Sequence, residues 1–209
     1  HRSGQLPDYF SEQAEFMPGD VCDKADWERA LESIDAVFHL AAYQDYLPDF
    51  SRFFHVNAVS TALLYEVIVE HCFPIQKVVL ASSQAAYGEG KYHCAEDGVQ
   101  YPLPRPTAQL EQQDWDPRCP QCGAQLEMVE SDEERVHPHN SYAMSKHAQE
   151  MIAFLLGRRY EIPSVALRYS IVQGARQSFR NAYSGVLRIF AMQLLAAKRP
   201  TVYEDGEQI

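Results

Sequence analysis

The sequence has no basic run and few cations altogether. Eighteen lysines and arginines stand against 29 aspartates and glutamates, a formal net charge of −11. Nucleic-acid binders gather Lys and Arg on one face, so this balance argues against a nucleic-acid partner, while leaving room for a local basic pocket that holds a diphosphate. No apolar run reaches the ~18 residues expected of a membrane span. The opening His1-Arg2-Ser3-Gly4-Gln5 has no apolar signal region, so no membrane partner is expected either. Cysteine is scarce, five residues in 209, and three of the five are clustered. That pattern reads as metal ligands in a reducing, cytoplasmic setting rather than as a disulfide frame; Cys22 and Cys72 read as core thiols. No internal repeat is present. What remains, 46% hydrophobic and 22% charged, suits a globular domain with a sizeable core.

Strand and helix patterns alternate along the chain. Ala14–Met17 reads as a short strand, and Asp23 as the cap of a helix over Lys24–Ser33. Ile34–Leu40 is the next strand, running into Ala41-Ala42, two small residues that admit a close neighbour. Apolar residues at helical spacing mark one long helix from Phe50 to His71. Lys77–Ser82 is a buried strand, Asn140–Tyr160 a helix with Met151, Ile152, Leu155 and Leu156 on its apolar side, and Ser164–Tyr169 another strand. A helix over Gly185–Lys198 and a short strand at Thr201–Tyr203 close the pattern. Such alternation predicts an α/β fold, a doubly wound parallel sheet with helices on both faces.

Residues 89–139 interrupt that pattern with prolines, charges and three cysteines. A structureless loop of this length is improbable in a compact domain unless something orders it. Cys119-Pro120-Gln121-Cys122-Gly123 is a zinc-knuckle pattern, two thiolates three apart with a glycine for the turn. Its partner half falls at Cys94-Ala95-Glu96-Asp97-Gly98, where Asp97 stands at the position of a second cysteine. The reading is a structural Zn site from Cys94, Asp97, Cys119 and Cys122, with His93 or His137 as other candidates for the fourth ligand. The alternatives are an insert that has lost its metal, or a disulfide.

Tyr142 and Lys146 lie four apart at the start of a helical pattern, so they share a face. An ammonium beside a phenol favours the phenolate and makes tyrosine a usable acid/base near neutral pH. Upstream, Val78-Val79-Leu80-Ala81-Ser82-Ser83 is an apolar strand ending in two hydroxyls, and sites in open α/β sheets lie at the strands' carboxyl ends. Ser83, Tyr142 and Lys146 together resemble the Ser-Tyr-Lys set of the extended short-chain dehydrogenase/reductases, the nucleotide-sugar epimerase and dehydratase group. The Cys-bearing insert is similar to that of an epimerase subgroup that includes enzymes resembling dTDP-L-rhamnose 4-epimerase, with one cysteine fewer.

The resemblance implies a Rossmann-like sheet binding NAD or NADP. It assigns cofactor contacts to Asp20, Val21, Leu40, Ala41, Ala42, Asn57, Ala81, Ser82, Tyr142, Lys146, Tyr169 and Val172, and catalysis to Ser83, Tyr142 and Lys146. The family's G-x-x-G-x-x-G phosphate turn is not in the sequence. The polypeptide therefore reads as an internal fragment that binds the dinucleotide poorly. Its divisions are residues 1–88, a partial Rossmann domain; 89–139, a zinc-ribbon-like insert; and 140–209, the rest of that domain and the start of a substrate domain. Dehydratases of the group carry an acidic pair after the serine; here stands Gln84-Ala85, which argues against a dehydratase. The leading reading is a C4 epimerase of a nucleotide sugar, and the resemblance implies a homodimer. A keto-sugar reductase and a non-catalytic Rossmann-like binding module are the competing readings. Ile171 replaces the family asparagine that contacts the sugar diphosphate, leaving Arg176, Arg180 or Arg188 for that task.

Overall fold

The computed structural model describes residues 9–177 and 185–206. Asp23 caps the first helix, α1 (Lys24–Ala30), its carboxylate accepting the Ala25 N–H at 2.8 Å. Three strands then form the main sheet: β1 (Ala36–His39), β2 (Lys77–Ala81) and β6 (Ser164–Leu167), all parallel, in the order β1-β2-β6. Val37 is level with Val78, and Leu80 with Ala166. Side chains alternate across a strand, so Val37, Val78 and Leu80 share one face. They pack with Trp27 of α1, Leu64 and Ile68 of α3 (Ser60–Glu70) and Ala153 of α5 (Ser141–Arg159). Each such side chain contributes about 1.5–3 kcal/mol on burial. The opposite face leaves Phe38, Leu40 and Leu167 exposed, at 69%, 59% and 38%.

Two expected strands are not there. Ala14–Met17 and Thr201–Tyr203 are irregular; a strand is defined by a hydrogen-bonded neighbour, and neither stretch has one among the described residues. The expected long helix is continuous but not uniform. It runs as α2 (Phe50–Phe53), a π-helical stretch (Phe54–Val59), then α3. Across the wider turn, the Ser60 and Thr61 hydroxyls donate to the carbonyls of Val56 (2.6 Å) and Asn57 (2.9 Å). By length and composition alone, Phe50–Glu70 could cross a membrane. Half of it is buried here, with Leu64, Tyr65, Val67 and Ile68 in the core, the position of a core helix.

Helix α5 is capped by Asn140, whose side chain accepts the Ala143 N–H at 2.9 Å. Its buried face differs from the expected apolar one. Ala143, Ser145, Lys146, Gln149, Glu150, Ala153 and Gly157 face inward, whereas Met151 and Leu155 are exposed and Ile152 and Leu156 half-buried. Small residues are required because the helix lies close against the sheet. A Cβ on Gly157 would stand 2.6 Å from the Ser164 hydroxyl and 2.7 Å from the Ile162 carbonyl. A last helix, α6, covers Val186–Leu195.

The insert forms its own antiparallel sheet from β3 (Lys91–Cys94), β4 (Gly98–Gln100) and β5 (Glu127–Val129), ordered β4-β3-β5, with a short helix α4 (Thr107–Glu111). Its own buried cluster is small: Tyr92, Cys94, Cys119 and Leu126. Among the described residues, hydrogen bonds and an ion pair tie it to the rest. The His137 N–H donates to the Ala86 carbonyl at 2.9 Å, and Arg168 Nη1 to the Glu133 carbonyl at 3.2 Å. Arg105 grips both oxygens of Glu204, at 2.9 and 3.0 Å.

Candidate active site

The carboxyl end of β2 carries Ser83 and receives Lys146, two of the predicted catalytic residues. Ser83 follows the strand by two residues and caps a 3-10 turn over Gln84–Tyr87, its hydroxyl accepting the Ala85 N–H at 3.2 Å. Helix α5 packs against that turn. Lys146 reaches beneath the strand end from α5 and is 1% exposed. Its Nζ donates to the Ala81 carbonyl at 2.6 Å and to Gln149 Oε1 at 3.0 Å. Tyr142 is half-buried one turn earlier, about 5–6 Å along the helix at Cβ. Its ring meets Phe53 edge-on at 6.4 Å, and Phe53 in turn meets Tyr43 at 5.1 Å. Tyr142 therefore leans toward the segment that follows β1, the predicted cofactor path.

Burial sets the charges here. Desolvation pushes the Lys146 ammonium down to about 8, with the Glu150 carboxylate pulling the other way. His39, also buried, is pushed down to about 4 by burial and by Lys146, and is neutral at pH 7. It hydrogen-bonds the Ser60 hydroxyl at 3.0 Å. Gln149 passes the polar seam onward, donating to the Thr61 hydroxyl at 3.0 Å.

The predicted cofactor residues divide into open and occupied. Leu40 and Ala42 are exposed and Ala41 and Ala81 half-buried, giving small or open surface at two strand ends. Asp20 and Val21, with Pro18 and Gly19, line a cavity of about 160 Å³ beside α1. Tyr169 and Val172, beyond β6, are exposed. Asn57 is different: it is fully buried and its amide is used within the fold. It donates to the Tyr43 carbonyl (3.1 Å) and the Ser145 hydroxyl (2.9 Å), and accepts the Tyr43 N–H (2.8 Å). The Ser82 hydroxyl is likewise taken, by Glu150. Of the arginines considered for a diphosphate, Arg176 stacks on the Tyr9 ring at 4.0 Å, Arg188 lies in the first turn of α6, and Arg180 falls outside the described residues. Sequence reasoning missed Gln149 and Glu150. Their signal was position: they lie three and four residues after Lys146, on its face.

In the insert, the ligand atoms of Cys94, Asp97, Cys119 and Cys122 all lie within 4.8 Å of one another. The Cys94 and Cys122 sulfurs are 3.5 Å apart, too far for a disulfide and near the ~3.8 Å that tetrahedral zinc imposes. Two matched knuckles make the cluster: Gly98 and Gly123 follow Asp97 and Cys122 with φ of +70° and +75°, a left-handed conformation that glycine adopts freely. His93 faces the other side of β3 from Cys94, and His137 meets the His139 ring edge-on at 4.4 Å.

A parallel sheet flanked by helices, with polar groups gathered at the carboxyl end of its central strand, is the arrangement of α/β proteins that bind ligands at the strand ends. Comparison with known proteins narrows this. The NAD-binding family described as Male sterility protein matches residues 5–205, and the chain belongs to it, among the extended short-chain dehydrogenase/reductases. It is 32% identical to the dTDP-L-rhamnose 4-epimerase of Burkholderia thailandensis, over 99% of this chain and 57% of that one. The UDP-N-acetylglucosamine 4-epimerase of Methanobrevibacter ruminantium, solved with UDP-N-acetylmuramic acid, is 27% identical with a TM-score of 0.66, over 91% of this chain and 50% of that one. The UDP-glucose 4-epimerase of Thermotoga maritima shares the fold, with a TM-score of 0.67 at 22% identity over 98% and 56%. The chain thus spans about half the length of the relatives it matches.

Ammonium titration of Lys146, followed by 15N-detected NMR, is expected to show a midpoint near 8, with charge complete below and lost above. A midpoint near the ordinary ~10.4 would show that the side chain is hydrated rather than buried.

Proposed function

We propose that this protein is an NAD-dependent nucleotide-sugar 4-epimerase. The observation that supports it most is the Lys146 ammonium, buried under the end of β2 one turn from Tyr142 and two residues before Ser83 on the facing strand. NAD, when bound, supplies a reversible two-electron oxidation that makes a keto sugar and restores the alcohol in either configuration. The residues suited to hold it are Asp20 and Val21 in their cavity, the small Ala41, Ala42 and Ala81, Tyr169 and Val172 past β6, and Lys146. The Asn57 amide and the Ser82 hydroxyl are engaged within the fold and hold the surrounding segments in place. Tyr142 takes the proton of the sugar hydroxyl, Ser83 hydrogen-bonds the same oxygen, and Lys146 favours the phenolate. Gln84 and Ala85 offer no acid for eliminating water, which separates the reading from a dehydratase.

Tyr142→Phe in the intact protein is expected to lower turnover by roughly 10²–10⁴-fold, measured as interconversion of 4-epimeric nucleotide sugars without added reduced cofactor. Full turnover in that variant would refute the mechanism, and an absolute need for added NADPH would favour the reductase.

The insert, residues 89–139, fits a structural zinc ion held by Cys94, Asp97, Cys119 and Cys122. The thiolates need a reducing compartment, in keeping with a cytoplasmic enzyme. Metal would order a segment whose own buried cluster is four residues. Elemental analysis of freshly purified protein should find close to one zinc per chain, lost in Cys119→Ser. Metal-free wild-type protein would overturn the assignment.

A homodimer fits the exposed apolar side of α5, where Met144, Met151, Phe154 and Leu155 are 49%, 49%, 43% and 62% exposed. Sedimentation should give twice the chain mass at micromolar concentration. Introducing Leu155→Glu should halve it; a monomeric wild type would rule the dimer out.

A further inference from the structure

Glu150 is a carboxylate with almost no water: it is 3% exposed. Both of its oxygens are occupied. Oε1 accepts the Ser82 hydroxyl and, at 2.9 Å, Arg168 Nε; Oε2 accepts Arg168 Nη2 at 2.9 Å. His147 Nδ1 stands 3.9 Å from Oε2. Burial pushes the Glu150 carboxyl up, but the Arg168 fork and the Ser82 hydroxyl outweigh it, and Glu150 stays ionised well below neutral pH. Arg168 is fixed in turn by the Tyr87 ring, 4.8 Å from its guanidinium carbon, and by the Glu133 carbonyl.

A buried ion pair is a poor way to gain stability. Removing two charges from water costs several kcal/mol per ion, and apolar groups of the same size often serve as well. What this pair does is geometric. Ser82 adjoins Ser83. Glu150 lies one turn past Lys146 and two past Tyr142. Arg168 adjoins Tyr169, whose carbonyl accepts the Gln84 N–H at 2.9 Å. One carboxylate on α5, the helix of Tyr142 and Lys146, therefore ties that helix to the end of β2 beside Ser83 and to the end of β6 beside Tyr169.

We propose that Glu150 is a positioning residue: through Ser82 and Arg168 it sets the Ser83 hydroxyl at its working distance from the Tyr142–Lys146 pair. This rests on the epimerase reading. A displacement of about 1 Å in a reacting group costs on the order of 10²-fold in rate. The contribution is to orientation of bound substrate, so it belongs to kcat and not to KM.

The test uses three variants of the intact protein beside wild type. Glu150→Gln should lower kcat by roughly 10²-fold with KM within about twofold. Glu150→Met combined with Arg168→Met removes both charges together, so its melting temperature should return toward wild type while kcat stays depressed. Recovery of kcat along with melting temperature would mean the pair acts only on stability and would overturn the proposal. Tyr142→Phe separates the two ideas. If it loses turnover while Glu150→Gln keeps wild-type kcat, the positioning role fails and the epimerase reading stands. If Tyr142→Phe is fully active, the reading fails and the positioning role with it.

Discussion

The constraint on which the rest depends is a positive charge held out of water at the end of a strand. Lys146 lies beneath the carbonyl of Ala81, with Gln149 as its second partner and no solvent. A buried ammonium needs such partners, because desolvation disfavours the charged form. The neighbours accept this cost in a consistent way. His39 stays neutral, Glu150 stays ionised, and Gln149 hands its amide hydrogen to Thr61. The inner face of α5 is consequently polar or small, and its larger apolar side chains turn outward.

That inversion links packing to function. A helix that brings Lys146 and Glu150 to the sheet must approach closely, and Gly157, Ala153 and Ala143 permit it. The same arrangement leaves Met144, Met151, Phe154 and Leu155 exposed. The buried polar residues at the strand end and the exposed apolar ones are thus two sides of one helix, fixed by a single rotation about its axis.

The insert follows a different logic. It has few buried apolar side chains, yet its strands are regular and its four ligand atoms converge. It reaches the rest of the chain through Glu133, which touches Arg168, and through Arg105, which grips Glu204. Whatever orders the knuckles therefore also bears on the segments after β6 and α6.

Much of this was legible in the residues themselves. The order of strands and helices, the Asp23 cap, the pairing of Tyr142 with Lys146, and the two Cys/Asp–Gly knuckles are local patterns, written within a few residues of one another. Local spacing did not reveal that Ala14–Met17 and Thr201–Tyr203 stay unpaired, since a strand exists only through its neighbour. Nor did it reveal which side of α5 faces the sheet: hydrophobicity pointed to Met151 and Leu155, while Lys146, Gln149 and Glu150 had partners 18 to 88 residues away. Tertiary structure alone decided that the amide of Asn57 and the hydroxyl of Ser82 are satisfied by residues distant in the chain. Sequence determines which groups are present and how they repeat; only folding determines which of them meet, and so which side chains remain open to a ligand.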